Sequence, residues 1–291
     1  MLGTFLFEDV TRIQHADPDP LPETPTGKPD NRQEFTPAVF LSYQPFPEHD
    51  LSIRAFYKRI FRMPTFNGLY YTDIGNISLR PEYTNQYNVG LYYTKTYMSG
   101  ALKNLTVQAD AYYNEVTDKI IAVPKGNGQY RWMMMNIGNV EIRGIDIAAQ
   151  AGWQLPWQTG INTSLNYTYQ KAQDFSDPAD NDPRAGTWGG QISYIPWHSG
   201  SAIVNLYRKS WELNYSFIYV GERYHNSANI RENHEEPWYT QDLTLIKTFS
   251  HRHIKYKLSA EVNNLFNQQY DVILNYPMPG RNYKVIVKLE I

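Results

Sequence analysis

The residues best suited to contact a ligand begin with an aromatic and methionine-rich stretch, "GQYRWMMMNIG". It contains Tyr130, Arg131 and Trp132, followed by three consecutive methionines centred on Met134. Methionine side chains are flexible and polarisable, so a run of them forms an adaptable apolar surface for a large ligand. Ordinary packing at the end of a strand explains the same run equally well. Both interpretations stay open, and these four residues are candidate substrate contacts.

A second stretch, "ERYHNSANIRENHEEPWY", combines cationic, amide and aromatic side chains. Its candidate contacts are Arg223, Tyr224, Asn226 and Trp238. Guanidinium and amide groups donate hydrogen bonds, while Tyr and Trp add a large apolar area with a polar tip. This combination makes the stretch a second candidate region for substrate contact.

No arrangement of residues points to catalysis or to a resident cofactor. The chain has no cysteine, which excludes disulfides, thiolate metal sites and cysteine nucleophiles. Neither a Gly-rich phosphate loop nor a nucleophile elbow is present. His225 and His234 could meet an iron or haem ligand, but a solvated loop is the favoured interpretation. A solvated loop is also favoured over a calcium site for the acids Asp174, Asp177, Asp180 and Asp182, whose spacing is not that of a calcium loop. The sequence therefore contains no pattern that predicts a metal site or a catalytic nucleophile.

Length, charge and composition narrow the class of protein. The chain has 291 residues and a formal net charge of -2, so no basic field argues for nucleic acid as a partner. No run of about 18 apolar residues could cross a bilayer as a helix. Aromatic residues make up 15% of the chain and include 24 tyrosines, which suit strands and membrane interfaces.

Alternating polar and apolar residues predict an all-β, antiparallel fold. In "LTVQADAYY", the residues Leu105, Val107, Ala109, Ala111 and Tyr113 share one face of a strand. No long helical pattern intervenes, which argues against parallel βαβ units. Residues 1–35 are rich in proline and are expected to be irregular. We predict eleven strands, at 36–45, 51–62, 84–98, 103–120, 138–153, 159–172, 199–208, 211–221, 238–249, 254–266 and 280–291.

The connections between these strands alternate between short and long. The short ones include "KS" and "SHRH", whereas the long ones include residues 173–198 and 222–237. Short turns at one end and long loops at the other are typical of an outer-membrane β-barrel. A soluble β-sandwich that acts as a binding module is the alternative, and it offers no reason for all long loops to share one end.

In a barrel, the two faces of each strand meet different environments. The final strand would turn Tyr283, Val285, Val287, Leu289 and Ile291 towards lipid. The lumen, or a domain within it, would be contacted by the basic residues Arg54, Lys58, Arg143 and Lys284.

Two motifs resemble the TonB-dependent outer-membrane receptors. Residues 61–93, "FRMPTFNGLYYTDIGNISLRPEYTNQYNVGLYY", are similar to the mid-barrel pattern of that family. Residues 263–291, with "NNLFNQQYD" followed by "PMPGRNYKVIVKLEI", are similar to its closing segment. Asn267 stands where an aspartate is usual, and Ile291 stands where these barrels usually end in Phe or Trp.

The resemblance implies a plugged barrel of about 22 strands in the Gram-negative outer membrane, with a periplasmic carboxyl terminus. Residues 36–291 would form its carboxyl-terminal half, because about eleven strands are present and nothing resembles the plug domain. A fragment of a longer receptor is favoured over one half of a split one. The implied activity is uptake of siderophore-bound iron or a cobalamin-type chelate, so the resemblance implies a transporter and not an enzyme. A porin-like or adhesin barrel without energised transport is the alternative.

The resemblance also implies the partners of such a receptor. They are the TonB complex, reached through a missing N-terminal region, and the missing plug and first half of the barrel. Outer-membrane lipid and lipopolysaccharide would surround the barrel, and a surface lipoprotein is a further partner.

Overall fold

One antiparallel sheet organises the computed structural model, which describes residues 4–9, 34–46, 48–72, 74–124, 132–182 and 186–290. Twelve strands belong to this sheet, and their order in it follows their order along the chain. Two small ribbons of two strands each lie within the connections. Among the described residues, no helix has both the length and the apolar character needed to cross a membrane.

The elements in chain order are β1 (Thr4–Asp9), β2 (Phe35–Tyr43), β3 (Leu51–Arg62), α1 (Phe66–Tyr70), β4 (Glu82–Thr96), β5 (Leu102–Pro124), β6 (Trp132–Leu155), β7 (Thr159–Asp174), β8 (His198–Arg208), β9 (Trp211–Val220), β10 (Arg223–Tyr224), a 3-10 turn (Arg231–Asn233), β11 (His234–Glu235), β12 (Trp238–His251), β13 (Ile254–Asn263), β14 (Asp271–Ile273), β15 (Tyr276–Pro277) and β16 (Asn282–Glu290). The two ribbons are β10 with β11 and β14 with β15.

All eleven predicted strands are present, which confirms the all-β, antiparallel class. β5 and β6 are longer than predicted, because the methionine run pairs with the apolar end of β5 in continuous register. Met133 lies opposite Val123, and Met135 lies opposite Ile121. The sheet order begins at β1 and ends at β16, so the sheet is not closed into a ring.

A twelfth strand lies within the segment that the sequence predicted to be irregular. β1 pairs with β2 from the partners Thr4 and Phe40 to the partners Asp9 and Phe35. Its residues "TFLFED" supply backbone donors and acceptors to an edge of β2 that would otherwise stay unpaired. The rest of the predicted irregular segment, residues 10–33, lies outside the described residues.

The register gives the sheet one apolar and one polar face. A row on the apolar face runs from Leu91 through Ala109 and Ile147 to Tyr167. The neighbouring row on the polar face consists of Gly90, Asp110, Asp146 and Thr168.

The apolar face is open to its surroundings. Leu91, Ile147 and Tyr167 are each more than 40% exposed. A soluble sandwich would bury this face under a second sheet of similar size. The described residues form no such sheet, which argues against the sandwich alternative.

The final strand follows the same division. Val285 and Val287 of β16 lie opposite Ala260 and Leu258 of β13, on the apolar face. Tyr283 and Leu289 share this face and are also exposed. Lys284 points the other way, with its Nζ 3.8 Å from Glu261 Oε2. Ile291 lies outside the described residues.

A small core on the polar face anchors the loop between β7 and β8. Val116 and Val140 are register partners across β5 and β6, and both are buried with Ala172 of β7. Ile192 joins them from the loop, and its backbone N–H donates to the carbonyl of Ala172 at 3.0 Å. Apolar burial therefore fixes this loop over the end of the sheet.

Candidate functional site

A pocket of about 610 Å³ lies where several long loops meet at one end of the sheet. Trp132, at the start of β6, forms one wall together with Tyr194 from the loop between β7 and β8. Arg223 and Trp238 form a second wall, and Ile273 of β14 contributes to a third. Ile121 and Ala122 at the end of β5 line it as well, so residues from six separate parts of the chain converge on one cavity.

Aromatic contacts shape the walls of this pocket. The rings of Trp132 and Tyr194 are 6.1 Å apart and tilted by 40°. Trp238 stacks on Tyr270, with ring centroids 4.5 Å apart and an interplanar angle of 27°. Such pairs add to the apolar burial and hold each other in place. The pocket is therefore lined by aromatic rings already fixed by other rings.

Arg223 connects the loop that follows β9 to the loop that precedes β16. It is only 3% exposed. Its Nη2 donates to the carbonyls of Asp271 at 2.7 Å and Val272 at 3.3 Å, and its Nη1 donates to the carbonyl of Glu236 at 3.4 Å. Burial lowers the pKa of Arg223 from its usual value, and nearby Glu235 partly opposes this effect. Arginine stays charged despite such a shift, so a buried cation holds both loops.

Tyr194 ties the third loop to the other two. Its backbone N–H donates to the carbonyl of Tyr224 at 2.8 Å, and its hydroxyl accepts from the backbone N–H of Leu274 at 3.4 Å. Burial raises the pKa of the Tyr194 hydroxyl, with a smaller opposing effect of the hydrogen bond from Leu274. The hydroxyl is therefore neutral at physiological pH. The backbone of Tyr194 lies in the left-handed region, at φ 61°.

Gln191 strengthens the same junction. It is 5% exposed. Its Nε2 donates to the carbonyls of Ile195 at 2.6 Å and Glu222 at 3.4 Å, while its own backbone carbonyl accepts from Asn229 Nδ2 at 3.1 Å. Side chain to backbone bonds of this kind give the buried amide of Gln191 its acceptors. The loops around the pocket form a connected unit.

Three of the candidate substrate contacts line the pocket, namely Trp132, Arg223 and Trp238. Tyr224 instead packs its ring against His234, at 5.5 Å, and Asn226 accepts from the backbone N–H of Ser227 at 2.7 Å. No sequence pattern predicts that Tyr194 or Ile273 lines the pocket, because only the folded loops bring them there.

The remaining candidates lie elsewhere or outside the described residues. The backbone of Met134 bonds to a different loop, since its N–H donates to the carbonyl of Ile74 at 3.1 Å and its carbonyl accepts from Asn76 Nδ2 at 3.0 Å. Tyr130 and Arg131 are outside the described residues.

The basic residues expected in the lumen divide between the two faces. Arg54 and Lys58 lie in polar-face register, and Arg54 approaches the Tyr92 ring at 5.6 Å. The expectation that Arg143 faces the lumen is wrong. Arg143 lies on the apolar face, where its register partners are Tyr113 of β5 and Lys171 of β7. Both faces of β6 carry apolar residues, so alternation does not show which face is polar. The charge of Arg143 alone then predicts the wrong side.

The polar residues considered as metal ligands bind protein groups instead. His225 Nδ1 lies 2.9 Å from Glu235 Oε1, and His234 Nε2 lies 3.4 Å from Glu222 Oε2. Asp180 Oδ2 accepts from the hydroxyl of Thr187 at 2.7 Å. Within the part of the chain that the structure describes, no three His, Cys, Asp or Glu side chains are grouped to hold an ion.

A sheet with an exposed apolar face, a polar face, short turns at one end and long loops at the other defines the class of outer-membrane β-barrels. The family described as "TonB dependent receptor-like, beta-barrel" matches residues 10–265, and the chain belongs to this family.

Relatives and solved structures agree with this family. The "Vitamin B12 transporter BtuB" of Photobacterium profundum is 26% identical over 227 residues, which cover 77% of this chain and 32% of that protein. The protein of the same name from Vibrio vulnificus is 26% identical over 234 residues, with the same coverage. The chain thus spans about a third of the length of these relatives.

Among solved structures, "Copper transporter OprC" has a TM-score of 0.63 at 19% identity, covering 97% of this chain and 42% of that one. The ferric citrate transporter FecA in the unliganded form has a TM-score of 0.61 at 15% identity, covering 85% of this chain and 37% of that one. These two similarities concern the fold alone.

Proposed function

We propose that this chain forms the carboxyl-terminal half of the barrel of a TonB-dependent transporter. The transporter takes up a large, scarce metal chelate of the siderophore-iron or cobalamin type. The observation that carries the proposal is the aromatic pocket at the long-loop end, where Trp132, Tyr194 and Trp238 surround the buried cation Arg223. The names of the vitamin B12 transporters among the relatives support the same kind of cargo.

The chemistry of the pocket suits part of a large ligand. Its volume of about 610 Å³ lies within the range of small-molecule sites, and its lining is mostly apolar. A chelate with an organic periphery would place that periphery against the rings of Trp132 and Trp238. The hydrogen bonds of Arg223 to loop carbonyls keep the walls in place before the ligand arrives, which lowers the entropy lost on binding.

The proposed transporter works in the Gram-negative outer membrane, with its carboxyl terminus in the periplasm. Its partners are the TonB complex, a plug and the first half of the barrel, together with lipid and lipopolysaccharide. A surface lipoprotein that delivers the ligand is a further proposed partner. Residues 36–291 would form the half-barrel together with β1, and the rest of residues 1–35 would contribute to an extracellular loop.

Uptake by cells tests this proposal. The full-length protein is expressed in a Gram-negative strain that lacks its own cobalamin and siderophore receptors. Labelled cyanocobalamin and a panel of ferric siderophores are then supplied, with and without a protonophore. We expect saturable uptake of at least one chelate and its loss when the protonophore is present. Non-saturable uptake that ignores the protonophore would instead support the porin-like alternative.

A pair of tryptophan variants tests the pocket itself. Trp238→Ala removes one wall and the stacking partner of Tyr270, so we expect the apparent affinity for the transported chelate to fall about tenfold. Trp157→Ala is the control, because Trp157 lies in the short turn between β6 and β7 and is 79% exposed. Equal effects of the two variants would contradict a role for this pocket in binding.

A further inference from the structure

Two cations flank a tryptophan at the short-turn end of the sheet, in a row that the transport proposal does not use. Trp211 of β9 lies opposite Arg208 of β8 on one side and opposite Lys247 of β12 on the other. Lys247 in turn lies opposite Leu258 of β13, so the row belongs to the apolar face. Two residues further from the turns, the next row of this face contains Leu206, Leu213 and Leu245. A row with two charges therefore borders directly on a row of leucines.

Trp211 has the position of a residue at a membrane interface. The apolar face of β9 runs from Trp211 to Tyr219, eight residues further, through Leu213, Tyr215 and Phe217. Eight residues rise about 26 Å along a strand and about 20 Å across the membrane at the usual tilt, which is most of an apolar band about 25 Å tall. Aromatic girdles border that band on both sides. In the proposed location, Trp211 therefore marks the girdle next to the short turns.

The ammonium group of Lys247 is held beside the indole of Trp211. Its Nζ lies 4.4 Å from the centre of the Trp211 ring and donates to Ser210 Oγ at 2.6 Å. The backbone N–H of Thr248 donates to the carbonyl of Ser210 at 2.9 Å, which fixes the turn against β12. A lysine ammonium has three donors, and the Ser210 hydroxyl uses one of them. Two donors remain for a further acceptor.

On the apolar face, the described residues offer these two cations no acidic partner. The ion pair between Lys255 and Glu290, at the same end of the sheet, lies on the polar face. Glu212 of β9 lies on the polar face as well. No ion pair joins Arg208 or Lys247 to a carboxylate in the part of the chain that the structure describes. Their charge is therefore free to attract an anion from outside the protein.

The adjoining turns add positive charge to the same region. The turn between β8 and β9 contains Lys209, and the turn between β12 and β13 contains Arg252. The turn between β2 and β3, at the same end of the sheet, instead contains Glu48 and Asp50. The positive field is therefore local to the strands from β8 to β13.

We propose that Arg208, Trp211 and Lys247 bind the headgroup of one phosphatidylglycerol molecule. Arg208 and Lys247 are two strand spacings apart, about 10 Å, and both side chains are long enough to reach one phosphate between them. Each donates charge-assisted hydrogen bonds to that phosphate. The indole lies at the depth of the glycerol backbone, and the acyl chains run along the row of leucines.

The place of this row in the membrane and its charge select the lipid. In the proposed location the short turns face the periplasm, where the leaflet consists of phospholipids, whereas lipopolysaccharide lies on the long-loop side. Phosphatidylethanolamine carries an ammonium group, which would meet two cations and no carboxylate on this face. Phosphatidylglycerol has the phosphate without the ammonium group and is therefore favoured. The inference rests on the proposed place of the protein in the outer membrane and not on any transported substrate.

Native mass spectrometry of the delipidated full-length protein tests the inference. Phosphatidylglycerol and phosphatidylethanolamine with the same acyl chains are added in turn, and the retained lipid is measured. We expect phosphatidylglycerol to be retained about tenfold better. Arg208→Gln combined with Lys247→Gln should lower its retention about 25-fold, because each cation beside an anionic lipid contributes about a fivefold factor.

Matched controls separate this site from adsorption to any cation. Arg143→Gln with Lys171→Gln removes two cations from the same face at the long-loop end and should leave retention unchanged. Arg208→Lys with Lys247→Arg keeps both charges and should retain phosphatidylglycerol as the original protein does. The heat-dependent gel mobility of each variant shows that its barrel is folded.

Three results would overturn the inference. They are equal retention of the two lipids, full retention by the glutamine variant of Arg208 and Lys247, and an equal loss in the glutamine variant of Arg143 and Lys171. Chelate uptake can persist in each case, so failure of this inference is distinguishable from failure of the proposed function.

Discussion

At the scale of single residues, Arg223 has the largest structural role in the proposed binding site. Its guanidinium is almost fully buried and meets backbone carbonyls of two different loops. A buried cation of this kind is stable only while its acceptors stay in place. The conformation of Asp271 and Val272 is thus tied to a residue almost fifty positions earlier in the chain.

Replacing Arg223 tests this connection. In Arg223→Gln the carbonyls of Asp271 and Glu236 lose their donors, and we expect the loops to lose about 1–3 kcal/mol of stability. Limited proteolysis of residues 267–279 should become faster, and chelate affinity should fall. Arg231→Gln is the matched control, because Arg231 is an exposed arginine in the same loop. Unchanged protection of residues 267–279 in Arg223→Gln would contradict the assigned role.

The sequence predicts three of the residues that line the pocket but not the others, and the difference has a physical reason. Trp132, Arg223 and Trp238 are large aromatic or cationic residues in or next to the long loops, and such residues stand out in a sequence. Tyr194 is equally large, but its position depends on the core contact of Ile192 and on hydrogen bonds across loops. Contacts of that kind leave no local pattern in the chain.

At the scale of elements, alternation was enough to predict the eleven strands but not their full length or all of their faces. The run Met133 to Met135 has no alternation, so the sequence did not show that it continues β6. Arg143 was placed on the wrong face because Ile142 and Ile145 make both faces of its strand partly apolar. The register with β5, where Asp146 meets Asp110, decides the matter.

A contact between β7 and β8 gives a test of strand packing. Gly160 lies opposite Tyr207, and the Tyr207 ring occupies the space that a Cβ at position 160 would need. We expect Gly160→Ala to destabilise the barrel by about 0.5–1.5 kcal/mol, because the exposed Tyr207 ring must turn away from its present rotamer. Thermal unfolding in detergent measures the loss. Adding Tyr207→Ser should restore much of it, and a variant as stable as the original protein would contradict this packing.

At the scale of the whole molecule, the sheet has two edges and one continuous apolar face. Unpaired backbone groups at an edge cannot persist in lipid, so β1 and β16 need further strands in the proposed membrane location. The missing half of the proposed barrel would supply them. The exposed valines of β16 then meet hydrocarbon together with the rest of the apolar face.

Adjacent residues of β16 test which face meets the membrane. Val285→Lys places a charge on the apolar face, where a lysine near the bilayer midplane costs about 2–4 kcal/mol. The fraction of full-length protein that assembles in liposomes, measured by its heat-dependent gel mobility, should fall. Ile286→Lys is the control, because Ile286 lies on the opposite face, and it should assemble normally. The reverse order of the two variants would show that the faces are assigned wrongly.

β5 and β6 are long enough to affect how large particles approach this protein from outside the cell. The two strands contain 23 and 24 residues, whereas about 9–11 residues are enough to cross a bilayer. At about 3.3 Å per residue, each strand is about 75 Å long, so more than half of this hairpin would stand clear of the membrane in the proposed location. At the long-loop end the β5–β6 hairpin would extend outward from the membrane. An antibody or a phage tail that approaches from that side would meet the outer end of this hairpin, where Ile121 and Trp132 line the pocket.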